Sequence, residues 1–181
     1  VWFLGYSDNT ILTFLLPTIC DITAIYSPCA PAYGMEPWHP SLKDTFELLT
    51  GKSNMAHGYD KWEKESVKNE ENPLVPYNVT KKTEIKKFGA GKDDAKTEIS
   101  GRLIGGCLDC LSNLAGTKFD KVSDFNEKYK EDGIIWFMES CDLNPMAIRR
   151  AIWQLDHAGW FKYVKGFLIG RPLCLDEEIL G

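Results

Sequence analysis

Gly101-Arg102-Leu103-Ile104-Gly105-Gly106-Cys107-Leu108-Asp109-Cys110-Leu111-Ser112-Asn113-Leu114-Ala115-Gly116 reads as a strand, a tight glycine turn and a short helix in succession. Arg102 to Gly106 is the strand. Leu108 to Ala115 has helical character, and Gly116 stands where a C-terminal cap belongs. The pattern repeats downstream. Ile134 to Met138 is a continuous apolar run of strand length. Asn144 is a good helix N-cap, and Pro145 suits the first helical position. Ile148, Ile152 and Leu155 make an apolar helix face that Gly159 ends, and Phe167-Leu168-Ile169 is a last strand. Strands that alternate with helices predict an α/β fold.

The N-terminal side carries the same alternation. Trp2-Phe3-Leu4 reads as a short buried strand ended by Gly5, and Ile11 to Leu16 as a helix that stops at Pro17. Ile22 to Tyr26 is a second β-branched, apolar strand. Pro28, Pro31, Gly34, Pro37 and Pro40 then mark a long irregular loop. Ser41 to Thr50 is a helix with Leu42, Phe46 and Leu49 on one face and Gly51 at its cap. From Asp60 to Glu98, 18 of 39 residues are charged, nine of each sign. Because the signs cancel, this stretch predicts a solvated connection between two domains and not a binding tail. Thr83 to Phe88 is expected to be an exposed strand within it.

Composition excludes several classes of function. The 181 residues are 44% apolar and 26% charged, a globular balance incompatible with wholesale disorder. The net charge of −5 leaves no basic excess to neutralise a phosphate backbone, so no nucleic-acid partner is expected. The apolar stretch from Asn9 to Cys20 is closed by Asp8 and Asp21 and broken by Pro17. It is shorter than the roughly 20 residues a membrane span needs, so no membrane partner is expected. The chain starts at Val1 without an initiator Met and stops at Gly181 just after an apolar run. Both ends read as cuts within a longer protein.

Gly5-Tyr6-Ser7-Asp8 is the most informative short motif. A strand delivers a serine at a sharp turn, and a helix starts directly after it, which is the physical logic of a nucleophile elbow. The helix N-terminus and the amide of Asp8 could stabilise an oxyanion formed there. Asn9 replaces the second glycine of G-x-S-x-G, and a serine before a helix also serves as a plain N-cap. A nucleophilic serine needs a base. His39 lies in the Trp38-His39-Pro40 loop, His57 in the Ala56-His57-Gly58 turn and His157 in the last turn of a helix. Each reads as an ordinary surface or capping histidine. Glu139 ends the strand Ile134 to Met138, where sites in α/β folds collect, and equally fits a solvent-facing strand end. Cys20, Cys29, Cys107, Cys110, Cys141 and Cys174 are too sparse for a disulfide scaffold. Cys107 and Cys110 form C-x-x-C without a second pair or nearby His at metal-ligand spacing, so buried, reduced thiols are favoured over metal or redox chemistry.

Taken in order, five segments resemble the serine LD-carboxypeptidases, the peptidase family that includes muramoyl-tetrapeptide carboxypeptidases and microcin C immunity peptidases. They are Gly5 to Thr10; Ser27-Pro28 with Tyr33-Gly34; Gly101 to Leu108 with Gly116-Thr117; Gly133 to Glu139; and Gly166 to Pro172. The resemblance implies that Ser7 is the nucleophile, that Glu139 orients a catalytic His, and that the Asp8 amide belongs to the oxyanion hole. The family's upstream glycine-rich loop and its downstream Gly-His segment have no match here. None of His39, His57 and His157 corresponds to the family's base, so these 181 residues alone are expected to be nearly inactive.

The resemblance further implies a cytoplasmic hydrolase that cuts the bond before the terminal D-residue of a murein tetrapeptide. The alternatives are cleavage of a peptidyl or aminoacyl nucleotide, with Tyr59, Trp62 and Tyr77 near the base, and a non-catalytic binding homologue. No cofactor and no metal is implied; a homodimer is. The architecture implied is the end of an N-terminal α/β sandwich domain over residues 1–58 and a charged linker over 59–80. A smaller, barrel-like C-terminal α/β domain would follow over 81–181.

Overall fold

The computed structural model describes residues 2–89 and 98–173. Cys174 and the apolar run before Gly181 lie outside them, as does part of the charged stretch. By their own contacts the residues fall into two units, Val1–Tyr26 together with Thr97–Gly181, and Ser27–Lys96.

The chain begins with a two-residue strand, β1 (Leu4–Gly5), and not with a buried Trp2-Phe3-Leu4 run: Trp2 is exposed. A 3-10 turn, Ser7–Asn9, leads into helix α1 (Thr10–Cys20). This helix runs straight through Pro17, where the sequence predicted its end. Proline removes one backbone bond and crowds the preceding turn. Burial of Phe14 and Thr18 outweighs that cost, with Phe14 stacked on Trp160 at 5.2 Å between ring centroids. The helix closes on Asp21, which adopts φ 57°, while the Ile22 amide donates back to the Leu16 carbonyl at 3.2 Å. Strand β2 is only Ile25–Tyr26 and pairs parallel with β1, with Gly5 beside Tyr26.

The unit Ser27–Lys96 is built on less. Its proline-rich loop contains a 3-10 helix, Ala30–Gly34, that the sequence reading missed. Helix α2 (Pro40–Leu49) buries Leu42 and Thr45, whereas Phe46 is largely exposed. Gly51, at φ 70°, follows its C-terminal cap. Strands β3 (Lys61–Glu63) and β4 (Val79–Lys82) form an antiparallel pair. Thr83 to Phe88 is not a strand; Ile85 and Phe88 are almost fully exposed, so nothing rewards ordering them.

The α/β alternation predicted by the sequence forms a parallel sheet that carries the larger core. Strand β5 (Arg102–Cys107) leads directly into α3 (Leu108–Leu114), and Gly116 follows at φ 76°. Helix α4 (Val122–Lys128) escaped the sequence reading because its two buried apolar residues, Val122 and Phe125, are too few to show a period. Strand β6 (Ile134–Glu139) is central, and α5 (Pro145–His157) crosses back to β7 (Val164–Ile169). The order is β5-β6-β7, all parallel, and among the described residues it does not close into a barrel. The Asn144 side chain caps α5 by accepting from the Ala147 amide at 2.9 Å, as predicted. The buried face of α5 is Ala151 and Leu155, with Ile148 partly buried and Ile152 turned outward. Trp136, Trp160 and Phe14 stack at the centre of this core. No helix among the described residues is long and apolar enough to cross a membrane.

Candidate active site

Ser7 sits at φ 57°, a left-handed conformation that side-chain-bearing residues rarely adopt. Tyr6 before it is fully extended, so the chain turns sharply between strand and helix at this one residue. The Asn9 amide donates to the Tyr6 carbonyl at 3.1 Å and closes the turn. Gly5 makes the turn fit, because a Cβ there would stand 2.5 Å from the Asn9 Cβ. Ser7 is half-buried and Asp8 exposed. Side-chain-bearing residues held in this conformation cluster at functional sites, although Asp21 takes the same φ as a helix cap.

Glu139 is the last residue of β6, half-buried, and paired in register with Cys107. It is held from two sides. The Gly170 amide donates to the Met138 carbonyl at 2.8 Å, and a Cβ on Gly170 would stand 2.9 Å from the Glu139 Cβ. The chain leaving β7 therefore runs directly past Glu139. Behind it, Asp109 accepts from the Asp142 amide at 2.8 Å, from the Cys141 amide at 3.1 Å and from the Ser140 hydroxyl at 3.1 Å. Burial pushes the Asp109 carboxyl up, but these two amides, the Cys107 thiol and the Ser140 hydroxyl outweigh it and hold the carboxyl below the usual range. Asp109 thereby pins the loop after β6 to the first turn of α3. Its partners in that loop lie more than 30 residues away, which no local pattern reveals.

Tyr26 joins the two sequence-predicted residues. Its hydroxyl accepts from the Ser7 amide at 3.1 Å and donates to Glu139 Oε1 at 2.5 Å. Burial first, and then the Glu139 carboxylate that accepts its proton, raise the phenol well above its ordinary range. The sequence reading treated Tyr26 only as a strand end. The available signal was its place at the C-terminal end of a strand neighbouring the elbow strand. A cavity of about 470 Å³ is bordered by Tyr26, Gly105, Phe137, Arg102 and Tyr129, but not by Ser7 or Glu139.

The histidines are engaged elsewhere. His39 caps α2, its Nδ1 accepting from the Ser41 amide at 3.2 Å, and burial lowers its pKa. His57 pairs with Asp44 at 2.9 Å. His157 contacts the Trp153 carbonyl and stacks on the Trp153 ring. Tyr59 and Tyr77 both meet the His39 ring edge-on, while Trp62 Nε1 donates to the Lys82 carbonyl. Among the described residues, no group of three His, Cys, Asp or Glu side chains could hold a metal ion.

Cys107 and Cys110 are buried free thiols. The Cys110 thiol donates toward the Ser7 carbonyl at 3.7 Å and Asp8 Oδ1 at 3.6 Å, so it supports the elbow. Burial pushes the Cys107 thiol up to about 12 and, with Asp8 beside it, the Cys110 thiol up to about 11. At neutral pH, mass spectrometry after iodoacetamide treatment should find exposed Cys20 modified and both of these protected. The sign for stability follows. Unfolded thiols ionise near 9.0, so protonation favours the folded state fully below that pH, and this contribution is lost as pH rises toward 11 to 12. The urea midpoint should fall across that window, and by less in Cys110→Ala.

Residues 100–178 match the family model of the LD-carboxypeptidase C-terminal domain. The chain is 30% identical over 182 residues to the microcin C7 self-immunity protein MccF of Escherichia coli, covering 96% of this chain and 48% of that protein. Among solved structures, it resembles an MccF-like protein from Streptococcus pneumoniae in complex with AMP. The TM-score is 0.67 at 22% identity, over 94% of this chain and 53% of the other. It also resembles a muramoyltetrapeptide carboxypeptidase from Oxalobacter formigenes, with a TM-score of 0.58 at 20% identity, over 97% of this chain and 47% of the other. The chain thus spans about half the length of these relatives. The family match lies on the segment that carries β5, β6, Glu139 and β7, and over that segment the chain is similar to the LD-carboxypeptidase C-terminal domain.

Proposed function

We propose that Ser7 is the nucleophile of a serine-type LD-carboxypeptidase that works through an acyl-enzyme. The observation that carries this reading is a strained serine at a strand-to-helix turn, two hydrogen bonds away from a strand-end carboxylate. Ser7 Oγ attacks the carbonyl before a C-terminal D-residue. The Asp8 amide, in the first turn after the strand, donates to the oxyanion. An imidazole from polypeptide outside these 181 residues takes the Oγ proton and returns it to the leaving amine, with Glu139 fixing its tautomer. The contacts that engage His39, His57 and His157 support a base from elsewhere. Water then releases the acyl group.

The substrate class proposed is a murein tetrapeptide, processed in the cytoplasm by a homodimer. In the longer protein, residues 1–58 would end the nucleophile domain, 59–80 connect, and 81–181 belong to the C-terminal domain. A second reading, hydrolysis of an aminoacyl or peptidyl nucleotide, is favoured by the 30% identity to a microcin C7 self-immunity protein. The longer protein should be offered each substrate separately. Release of D-alanine from the tetrapeptide is expected. Nucleotide release alone would move the function to the second reading, and turnover of neither would leave a binding protein with this fold.

A further inference from the structure

We infer that Tyr26 is a positioning residue that locks the nucleophile turn to the acid of the triad, an inference that rests on Ser7 and Glu139 acting as proposed above. Strand pairing puts Tyr26 beside Gly5, two residues before the nucleophile. Its ring packs on Phe137, with centroids 5.3 Å apart. Phe137 and Glu139 are two apart on β6 and so share one face of the sheet. The tyrosine therefore lies along that face with its ring on Phe137 and its hydroxyl on Glu139.

The direction of each hydrogen bond is fixed by chemistry. The Ser7 amide can only donate, so the phenol oxygen must accept from it. The single phenol proton is then committed to Glu139 Oε1, at 2.5 Å. A carboxylate held in this way by one oxygen keeps Oε2 for an imidazole N–H. Thr10 Oγ1, in the first turn of α1, accepts from the Cys107 amide at 3.0 Å. The phenol thus ties the Ser7 turn to the end of β6, while Thr10 ties the start of α1 to the end of β5. The bond to the Ser7 amide also satisfies a donor that the left-handed turn leaves without a helical partner.

The test compares Tyr26→Phe, Ser7→Ala and the parent in the longer protein, with D-alanine release as the assay. Tyr26→Phe keeps the ring on Phe137 and removes only the hydroxyl. We expect kcat to fall about 10- to 100-fold with KM changed less than about 2-fold. The acid limb of the kcat/KM profile should move to higher pH, because a carboxylate relieved of its phenol donor holds the imidazolium more tightly. A purely structural role would lower the amount of folded enzyme without moving that limb. 3-Fluorotyrosine at position 26 retains the donor and should restore kcat to within about 3-fold. Unchanged kinetics in Tyr26→Phe, with Ser7→Ala inactive, would overturn the role of Tyr26 and leave the nucleophile standing. Full turnover in Ser7→Ala would overturn both.

Discussion

Replacing Ser7 by glycine is expected to abolish turnover in the longer protein and at the same time to raise its unfolding free energy by about 0.5–1 kcal/mol. The two effects have one origin. Ser7 holds φ 57° with a Cβ attached, a conformation that glycine adopts freely. Tyr6 in extended conformation, the closure from the Asn9 amide to the Tyr6 carbonyl, and the absence of a side chain at Gly5 leave the turn no other path. Removing the side chain relieves the strain, less the extra backbone entropy glycine brings to the unfolded chain. It also removes the hydroxyl proposed to form the acyl-enzyme, at an expected cost in kcat of about 10⁴-fold or more. Ser7→Ala separates the terms: it should lose the same activity without the gain in stability, because its Cβ keeps the strain. Urea unfolding of the three proteins beside a D-alanine assay decides it. Were Ser7→Gly less stable than Ser7→Ala, the turn would not be strained and Ser7 would be a plain helix cap.

How much of this could be read beforehand depended on whether the determinant was local. Arg102 to Gly116 spells out its own strand, turn and helix, and the cap at Asn144 is a two-residue signal that the structure repeats at 2.9 Å. The α/β class and the segment Ile134 to Glu139 followed from such runs. The failures were places where distant packing overruled local chemistry. Pro17 should end a helix, but Phe14 three residues before it is stacked on Trp160 and packed against Trp136, and that burial carries α1 onward. Helix α4 shows too short a period to be seen, and Thr83 to Phe88 has strand composition but leaves Ile85 and Phe88 exposed. At the candidate site, Ser7 and Glu139 could be named because the chemistry of a turn and of a strand end is written in neighbouring residues. Tyr26 and Asp109 could not. One contacts Glu139 across 113 positions and the other holds Asp142 across 33, and a single sequence carries no trace of such pairings.

Gly105→Ala should be the most damaging small substitution in the chain, with a loss of about 4 kcal/mol or more and little folded protein recovered. A Cβ at this position would lie 1.7 Å from the Phe137 carbonyl oxygen and under 3 Å from the Phe137 carbonyl carbon and amide nitrogen. All three atoms are backbone, so no rotamer change makes room. The φ of 151° adds strain of its own. Gly105 pairs with Phe137 in the parallel ladder, so opening the gap would separate β5 from β6 over the buried side chains of Ile104, Trp136 and Met138. Gly116→Ala is the control, since it also has a positive φ, 76°, but nothing within 4 Å of the added atom. It should cost only about 1 kcal/mol. The contrast reaches the candidate active site, because the register that sets Gly105 against Phe137 also sets Cys107 against Glu139. Gly106 next door has no room either: its Cβ would press on Thr10, whose hydroxyl accepts from the Cys107 amide beneath the elbow. If Gly105→Ala unfolded at the urea concentration of Gly116→Ala, that register would be wrong, and Glu139 would no longer stand where Tyr26 can reach it.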